Sequence, residues 1–203
     1  MNLFPLDDGS EDGPLYEGDL DTDPVSESQA RASRDGREFD LDAFAYLEQA
    51  GATIVERYVR VDGYPLDALV EGLNGARFYV DAHGSPDRTV RPQAGMRRQD
   101  TVLKFGYKAL YLAKQGVAQP LLLITSHMPS AHLSAGRILR DLANTGALWD
   151  AAAVTGDLAG FQRLHQYFTS TPPCDQPIPA PWRETVTQLT LDAVDPLGDP
   201  EEF

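Results

Sequence analysis

Residues 64–83 read YPLDALVEGLNGARFYVDAH, and this stretch decides the fold. It holds two runs of strand-forming residues separated by Asn74-Gly75, a pair that is typical of tight β-hairpin turns. Upstream, ATIVERYVRV at 52–61 alternates between apolar and polar residues and leads into another turn at Asp62-Gly63. The segment therefore predicts three consecutive antiparallel strands.

The loop at Asn74-Gly75 determines which residues face one another across the second hairpin. A two-residue turn would leave Asp67 and Asp81 on opposite faces, because a shift of one residue moves every side chain to the other side of the strand. A three-residue loop, with its glycine in the left-handed conformation, would set Glu71 opposite Arg77 and Asp67 opposite Asp81. The opposite charges of Glu71 and Arg77 favour the second register.

In that register Asp67, Asp81 and His83 share one face of the hairpin. Two carboxylates with Cβ atoms about 5 Å apart repel each other unless a cation or a proton lies between them. Mg²⁺ is the expected cation, since it prefers oxygen ligands and commonly keeps waters for substrate phosphates. The alternative is that the two acids are ordinary solvent-facing strand residues and that the histidine merely ends its strand.

Helices and one further strand are predicted around the hairpin. Asp40 is suited to cap a first helix at 41–50, with Phe39 and Phe44 placed to form a hydrophobic staple. The apolar run PLLLITS at 120–126 predicts a strand that is buried on both faces. Helical spacing predicts three more helices at 96–115, where Gly106 interrupts the pattern, at 134–144 and at 157–168.

The length of 203 residues with 42% hydrophobic residues fits one domain with tails. We expect an acidic disordered tail at 1–37, an α/β domain at 38–170, and a proline-rich, acidic tail at 171–203. The lone Cys174 excludes an internal disulfide and a cysteine zinc cluster. No apolar run reaches the roughly 20 residues that span a bilayer and no signal peptide is evident, so we expect a cytoplasmic protein without membrane contact.

The net charge of −14 is distributed unevenly along the chain. Residues 1–42 carry −10 and residues 184–203 carry −6, whereas residues 43–183 carry +2. A locally basic surface of this kind attracts a polyanion such as DNA, and the acidic tails are candidates to compete with DNA or to bind a protein partner. The basic residues cluster in one stretch that contains a single acid: Arg88, Arg91, Arg97, Arg98, Lys104, Lys108 and Lys114.

The element order αβββαβ, the aspartate in LDALV, the triplet Asp81-Ala82-His83 and the basic helix that follows resemble the restriction-endonuclease-like PD-(D/E)xK nuclease superfamily. Within it, VDAHGSPDR followed by RRQDTVLKFGYKAL is most similar to the very-short-patch-repair endonuclease type. The resemblance covers about residues 39–126. It implies a mixed sheet with additional C-terminal helices and a metal-dependent endonuclease that hydrolyses DNA phosphodiester bonds.

The resemblance also implies roles for individual residues. Asp67 and Asp81 would ligate Mg²⁺ or Mn²⁺, with Glu48 or Glu56 as a third acid. His83 stands where the family has its lysine and would lie near the attacking water, while Lys104 or Lys108 on the following helix would substitute for that lysine. Contacts to the DNA backbone would come from Arg88, Arg91, Arg97, Arg98 and Lys108.

Two other functions are open at this point. With His83 in place of lysine, the chain is also interpretable as a catalytically inactive nuclease-fold subunit that binds DNA or a protein. A weaker interpretation is an acidic interaction protein without a nucleic-acid role. Arg97 and Arg98 could then simply be solvent-exposed residues at the start of a helix. We take the histidines that belong to no catalytic motif as structural or surface residues: His127, His132 and His165.

Overall fold

The β4–β5 hairpin lies at the centre of a five-stranded mixed sheet in the order β1-β4-β5-β6-β7. The computed structural model describes residues 24–85 and 95–183, and side chains from residue 37 onward within them. The strands are β1 Ala52–Arg57, β2 Arg60–Val61, β3 Tyr64–Pro65, β4 Ala68–Gly72, β5 Arg77–His83, β6 Leu121–Thr125 and β7 Asp150–Ala153. The helices are α1 Pro24–Gln49, α2 Gln99–Lys114, α3 Ser134–Asn144 and α4 Leu158–Thr169, with short 3₁₀ helices at Gly95–Arg97 and Pro181–Arg183.

The sheet is mixed, as the sequence predicts. The pairs β1–β4 and β4–β5 are antiparallel, whereas the pairs β5–β6 and β6–β7 are parallel. The order αβββαβ expected for residues 39–126 is present as α1, β1, β4, β5, α2 and β6. This α/β architecture with flanking helices confirms the predicted fold class.

The predicted hairpin register is confirmed. Glu71 faces Arg77, and the Arg77 Nε atom lies 2.6 Å from Glu71 Oε2. The Gly72 amide donates to the Ala76 carbonyl at 2.8 Å, which closes a three-residue loop. Gly75 has a φ of 80°, so the loop uses the left-handed glycine on which this register depends.

The predicted first strand over 52–61 is wrong in its second half. Strand β1 ends at Arg57, and Tyr58 has a φ of 56°, which turns the chain out of the sheet. The pair β2–β3 then forms its own small sheet around the predicted turn at Asp62-Gly63. The break allows Val59 and Leu66 to enter the core, where both are buried.

The prediction that Asp40 caps the first helix is also wrong. Helix α1 begins at Pro24 and passes through Asp40, so helical backbone includes residues 24–37 of the predicted tail. Phe39 and Phe44 are core residues rather than a staple, each 2% exposed. A Cβ built on Gly84 would lie 2.5 Å from the Phe39 ring. Glycine at position 84 therefore permits the close approach of α1 to the end of β5.

The two faces of the sheet form two separate cores. Alternate residues of the central hairpin, such as Val70 and Val80, pack with α1 and α4, while Leu69 and Tyr79 pack with α2 and α3. Every residue of β6 is buried, as its continuous apolar sequence predicts. Gly106 does not interrupt α2.

Strand β7 is missing from the sequence prediction, because its sequence DAAA has neither β-branched nor aromatic residues. Its first residue, Asp150, is 1% exposed. The carboxylate accepts hydrogen bonds from Arg163 Nε at 2.9 Å and from the Tyr167 hydroxyl at 3.0 Å. The Ile178 amide in turn donates to the Tyr167 hydroxyl at 2.7 Å, which joins part of the proline-rich segment to the core.

Residues 1–23, 86–94 and 184–203 lie outside the described part of the chain, so the predicted disorder of the terminal residues stays a prediction. Arg88 and Arg91 fall in the middle gap. Among the described helices, none has the length and apolar character needed to cross a membrane.

The buried pair of Asp150 and Arg163 predicts the stability of one variant. Asp150→Asn should lower the free energy of unfolding by about 3–5 kcal/mol, because it leaves the Arg163 charge buried without its partner. Urea denaturation measures the effect, and Asp175→Asn at an exposed position is the control with an expected change within about 0.5 kcal/mol. Equal stability of the two variants would contradict this role of Asp150.

Candidate active site

A buried ion-pair cluster is centred on Asp81, whose side chain is only 3% exposed. Lys108 Nζ lies 2.8 Å from both carboxylate oxygens, and His83 Nε2 lies 3.0 Å from Oδ2. Burial opposes ionisation of Asp81, but His83 and Lys108 together hold the pKa of the carboxyl below its usual value. Asp81 is therefore a buried carboxylate that carries its charge at neutral pH.

Asp67 lies beside this cluster, immediately before β4. Its Oδ2 atom accepts a hydrogen bond from the Ala82 amide at 2.6 Å, which attaches the carboxylate to the strand that carries Asp81. Burial and the Asp81 charge raise the pKa of Asp67 to about 7, although the Ala82 bond opposes the shift. The structure thus brings Asp67, Asp81 and His83 together, as the hairpin register predicts.

A third acid comes from α1, but it is neither of the residues expected from the sequence. Glu48 and Glu56 are both exposed. Asp40, two turns before Glu48, is 8% exposed and interacts electrostatically with Asp81 and His83. Burial raises the pKa of Asp40, while His83 and a hydrogen bond from Tyr58 oppose the shift.

Lys108, rather than Lys104, provides the cation of the site. Lys104 is exposed and interacts with Asp100, whereas the Lys108 side chain is only 17% exposed. The helical spacing of α2 contains a signal for this difference, because Lys108 lies three residues after the buried Phe105 and four before the buried Leu112. The position of Lys108 at the edge of the buried face lets its amine reach the sheet.

The Phe105 ring also positions the histidine. It packs edge-on against His83, with the ring centroids 5.9 Å apart. The His83 side chain is 27% exposed, the most accessible of the three groups in the Asp81 ion-pair cluster. A substrate that approaches Asp81 from solvent therefore meets His83 first.

The predicted basic contacts have different environments. Arg98 pairs with Asp100 at 3.1 Å and is 56% exposed, which fits a solvated helix start. Arg97 is exposed at the end of the 3₁₀ helix and lines two cavities. Lys108 points into the carboxylate cluster, so a second role as a DNA backbone contact is a matter for experiment.

The carboxylates suit a divalent cation by their chemistry but form no closed cage. Within residues 24–85 and 95–183, no three His, Cys, Asp or Glu side chains are arranged to hold a metal ion. Asp67 and Asp40 nevertheless lie beside Asp81, and burial together with the Asp81 charge raises the pKa of both carboxyls. This set fits an ion of the Mg²⁺ type, which binds through one or two carboxylates and keeps waters for substrate phosphates.

Comparisons with known proteins do not define a family. No family model matches the chain, and no curated protein matches it. A solved structure that matches is that of Pyrococcus furiosus SfsA in complex with Ca²⁺, at 15% sequence identity and a TM-score of 0.32. The match covers 66% of this chain and 60% of that chain, and at this TM-score it supports no inference about fold or function.

The raised pKa of Asp67 predicts a pH-dependent stability. The folded protein binds a proton at Asp67 up to about pH 7, whereas the unfolded chain releases it near the ordinary value of 3.8, so this residue makes stability fall as pH rises between these values. Asp67→Asn removes the free-energy cost of ionising a buried carboxyl and keeps an oxygen that accepts from the Ala82 amide. We expect it to raise the free energy of unfolding at pH 8 by roughly 1–4 kcal/mol in EDTA, at about 1.4 kcal/mol per pKa unit.

Urea denaturation from pH 4 to pH 8 measures this difference, which should shrink toward pH 4. Asp141→Asn, at an exposed position of α3, is the matched control and should not change the pH dependence. A wild-type protein that is more stable than Asp67→Asn at pH 8 would show that Asp67 is paired with a cation without any metal.

Proposed function

We propose that this protein is a divalent-metal-dependent phosphodiesterase that cleaves DNA. The observation that carries the proposal is the pair Asp67 and Asp81 with Lys108 bound to Asp81, at the end of β5. Two acids and a lysine of this kind are what the resemblance to the PD-(D/E)xK superfamily implies. Here the lysine comes from α2 instead of from the strand.

Asp67 and Asp81 would hold the metal ion, and Asp40 would add negative charge from α1. When bound, a Mg²⁺ ion lowers the pKa of a water ligand and stabilises negative charge on a scissile phosphate. Its chemistry is compatible with the site because the carboxylates of Asp67 and Asp40 lack a neutralising cation of their own among the described residues.

The protein groups around the acids have separate tasks. Lys108 orients the Asp81 carboxylate through both oxygens, and its fixed positive charge is available to a phosphate that enters beside Asp81. His83 is partly exposed and is held by Phe105 and Asp81, so its ring is suited to orient a water or to accept its proton. Desolvation of the cluster strengthens each of these electrostatic interactions.

A specific observation favours a second candidate, an inactive nuclease-fold subunit that binds DNA or a protein. Both oxygens of Asp81 are engaged by Lys108, and one is also engaged by His83. A metal ion at Asp81 would have to compete with Lys108 and His83 for these oxygens. In the inactive candidate they hold the carboxylate permanently, and only the basic residues of α2 and its neighbours act on a partner.

Cleavage of supercoiled plasmid with Mg²⁺ or Mn²⁺ tests the proposal. We expect metal-dependent nicking by the wild type, its loss in Asp67→Asn, and a reduction of about 10²–10⁴-fold in Lys108→Met. Lys104→Met, one turn away on the same helix, is the matched control and should retain activity within about threefold. The Asp67→Asn protein is expected to be more stable than the wild type, so its loss of cleavage would not result from unfolding.

Salt-sensitive DNA binding without cleavage in the presence of either Mg²⁺ or Mn²⁺ would overturn the proposed phosphodiesterase activity. It would support the inactive DNA-binding subunit, because contacts to phosphates weaken as salt rises. Equal loss of nicking in Lys104→Met and Lys108→Met would contradict the assignment of Lys108 to the site.

A further inference from the structure

A cavity of about 350 Å³ lies one strand beyond the candidate active site. It is built at the carboxyl ends of the parallel strands β6 and β7, where loops of an open α/β sheet commonly bind ligands. His127 comes from the loop after β6, and Thr155 and Gly156 come from the loop after β7. Arg97 and Trp182 complete the wall from the two 3₁₀ helices.

Two residues of this cavity, His127 and Trp182, have buried ring nitrogens without a hydrogen-bond partner among the described residues. His127 is 6% exposed, and neither of its two ring nitrogens has such a partner. His165, by contrast, has its Nδ1 atom 3.1 Å from the Ala50 carbonyl and is structural, while His132 is on the surface. His127 is therefore not a surface residue, and an unpaired buried polar group of this kind costs about 1–3 kcal/mol.

The charged groups that face His127 point to an anionic ligand. Arg163 is engaged by Asp150, and the Asp157 carboxylate is engaged as the N-cap of α4, where it accepts from the Gly160 amide at 2.8 Å. Arg97 has no such partner among the described residues. Arg97 and His127 line the same cavity, and burial together with the Arg97 charge lowers the pKa of His127.

An anion between Arg97 and His127 would satisfy both residues. A guanidinium donates two parallel hydrogen bonds to phosphate oxygens, and an imidazole N–H donates a third. Phosphate is therefore the ligand chemistry that this wall of the cavity fits.

Hydrogen bonds through Thr125 link the 3₁₀ helix that carries Arg97 to the end of β5. The Thr125 hydroxyl, at the end of β6, donates to the His83 carbonyl at 2.7 Å and accepts from the Met96 amide at 3.2 Å. Neighbouring strands lie about 4.8 Å apart, so the ends of β6 and β7 lie roughly 5–10 Å from β5. Since each nucleotide advances a nucleic-acid strand by at least about 3.4 Å, this distance corresponds to no more than about three nucleotides.

We propose that the cavity binds a phosphate group of the same nucleic-acid strand that lies across Asp81, with Arg97 and His127 as its ligands. This inference rests on the proposed function in one respect, that the site takes a polynucleotide. It adds a phosphate subsite within about three nucleotides of the scissile bond. The subsite fixes the position of the nucleic-acid strand on the edge of the sheet and takes no part in phosphodiester cleavage.

Two binding measurements in EDTA test the subsite without cleavage. In the first, inorganic phosphate is titrated into the ¹⁵N-labelled full chain, and the ring signals of His127 are followed by NMR. In the second, a fluorescent oligonucleotide is titrated with the wild type, Arg97→Gln, His127→Leu and the control Arg98→Gln. Arg98 is the matched control because it is the adjacent arginine and pairs with Asp100.

We expect a saturable shift of the His127 signals that is lost in Arg97→Gln. Oligonucleotide affinity should fall about tenfold in Arg97→Gln and in His127→Leu, but less than twofold in Arg98→Gln. His127→Leu should keep or raise the melting temperature, because an apolar side chain replaces an unpaired polar one. A merely structural histidine would instead show reduced stability with unchanged affinity, which would overturn the proposal.

Three further outcomes would overturn the proposed subsite or its assignment to a nucleic-acid strand. Absence of a phosphate-dependent shift overturns the subsite, and so does equal weakening in Arg97→Gln and Arg98→Gln, which would indicate only general charge attraction. A phosphate shift with unchanged oligonucleotide affinity would assign the cavity to a free phosphate ester and overturn the strand assignment. The expected binding results without plasmid cleavage would support the subsite while the enzymatic proposal failed.

Discussion

The buried carboxylate of Asp81 is the constraint on which the rest of the site depends. A charge that is 3% exposed is stable only with a partner and satisfied hydrogen bonds, and Lys108 provides both. Because Lys108 belongs to α2, the ion pair fixes this helix against the end of β5. The same contact holds Phe105 in place to support His83.

The hairpin register provides the second constraint. The three-residue loop closed by Gly72 and Ala76 sets all side chains of β4 and β5, so Asp67 and Asp81 fall on the α2 side of the sheet together. A shift of one residue would separate them and would bring apolar side chains to the wrong core. The packing of two hydrophobic faces and the convergence of two acids thus depend on one turn.

The sequence predicts those parts of the fold that local patterns determine. Alternation of apolar and polar residues and the charge pair of Glu71 and Arg77 are sufficient to predict the central hairpin. Helical spacing of apolar residues is sufficient to predict α3 and α4. Strand β7 could not be predicted, because its alanines carry no β preference and its Asp150 is compatible with a buried strand only through Arg163 and Tyr167 of α4. The extent of α1 was missed because Asp40 has the side chain of a good cap, whereas its actual environment is set by contacts distant in sequence.

The same distinction holds for the site. The two-residue repeat of a β-strand and the hairpin register predict that Asp67, Asp81 and His83 share one face, because both are determined by residues close in sequence. Asp40 reaches the cluster only because Gly84 lets Phe39 approach the end of β5, and no sequence spacing between α1 and β5 encodes that approach. His127 belongs to no sequence motif, and only the structure shows that its ring nitrogens lack hydrogen-bond partners among residues 24–85 and 95–183.

The acids of the site exceed what the fold needs. Lys108 neutralises Asp81, so a site that served only to join α2 to the sheet would need no further carboxylate. Asp67 and Asp40 nevertheless lie half-buried or buried beside it with raised pKa values, and their ionised forms destabilise the folded chain. Burial is the larger cause of both shifts and the Asp81 charge adds to it, and perturbed pKa values of this kind cluster at functional sites. A divalent cation would supply a partner for these carboxylates, whereas a purely structural ion pair would be more stable with neutral residues at both positions.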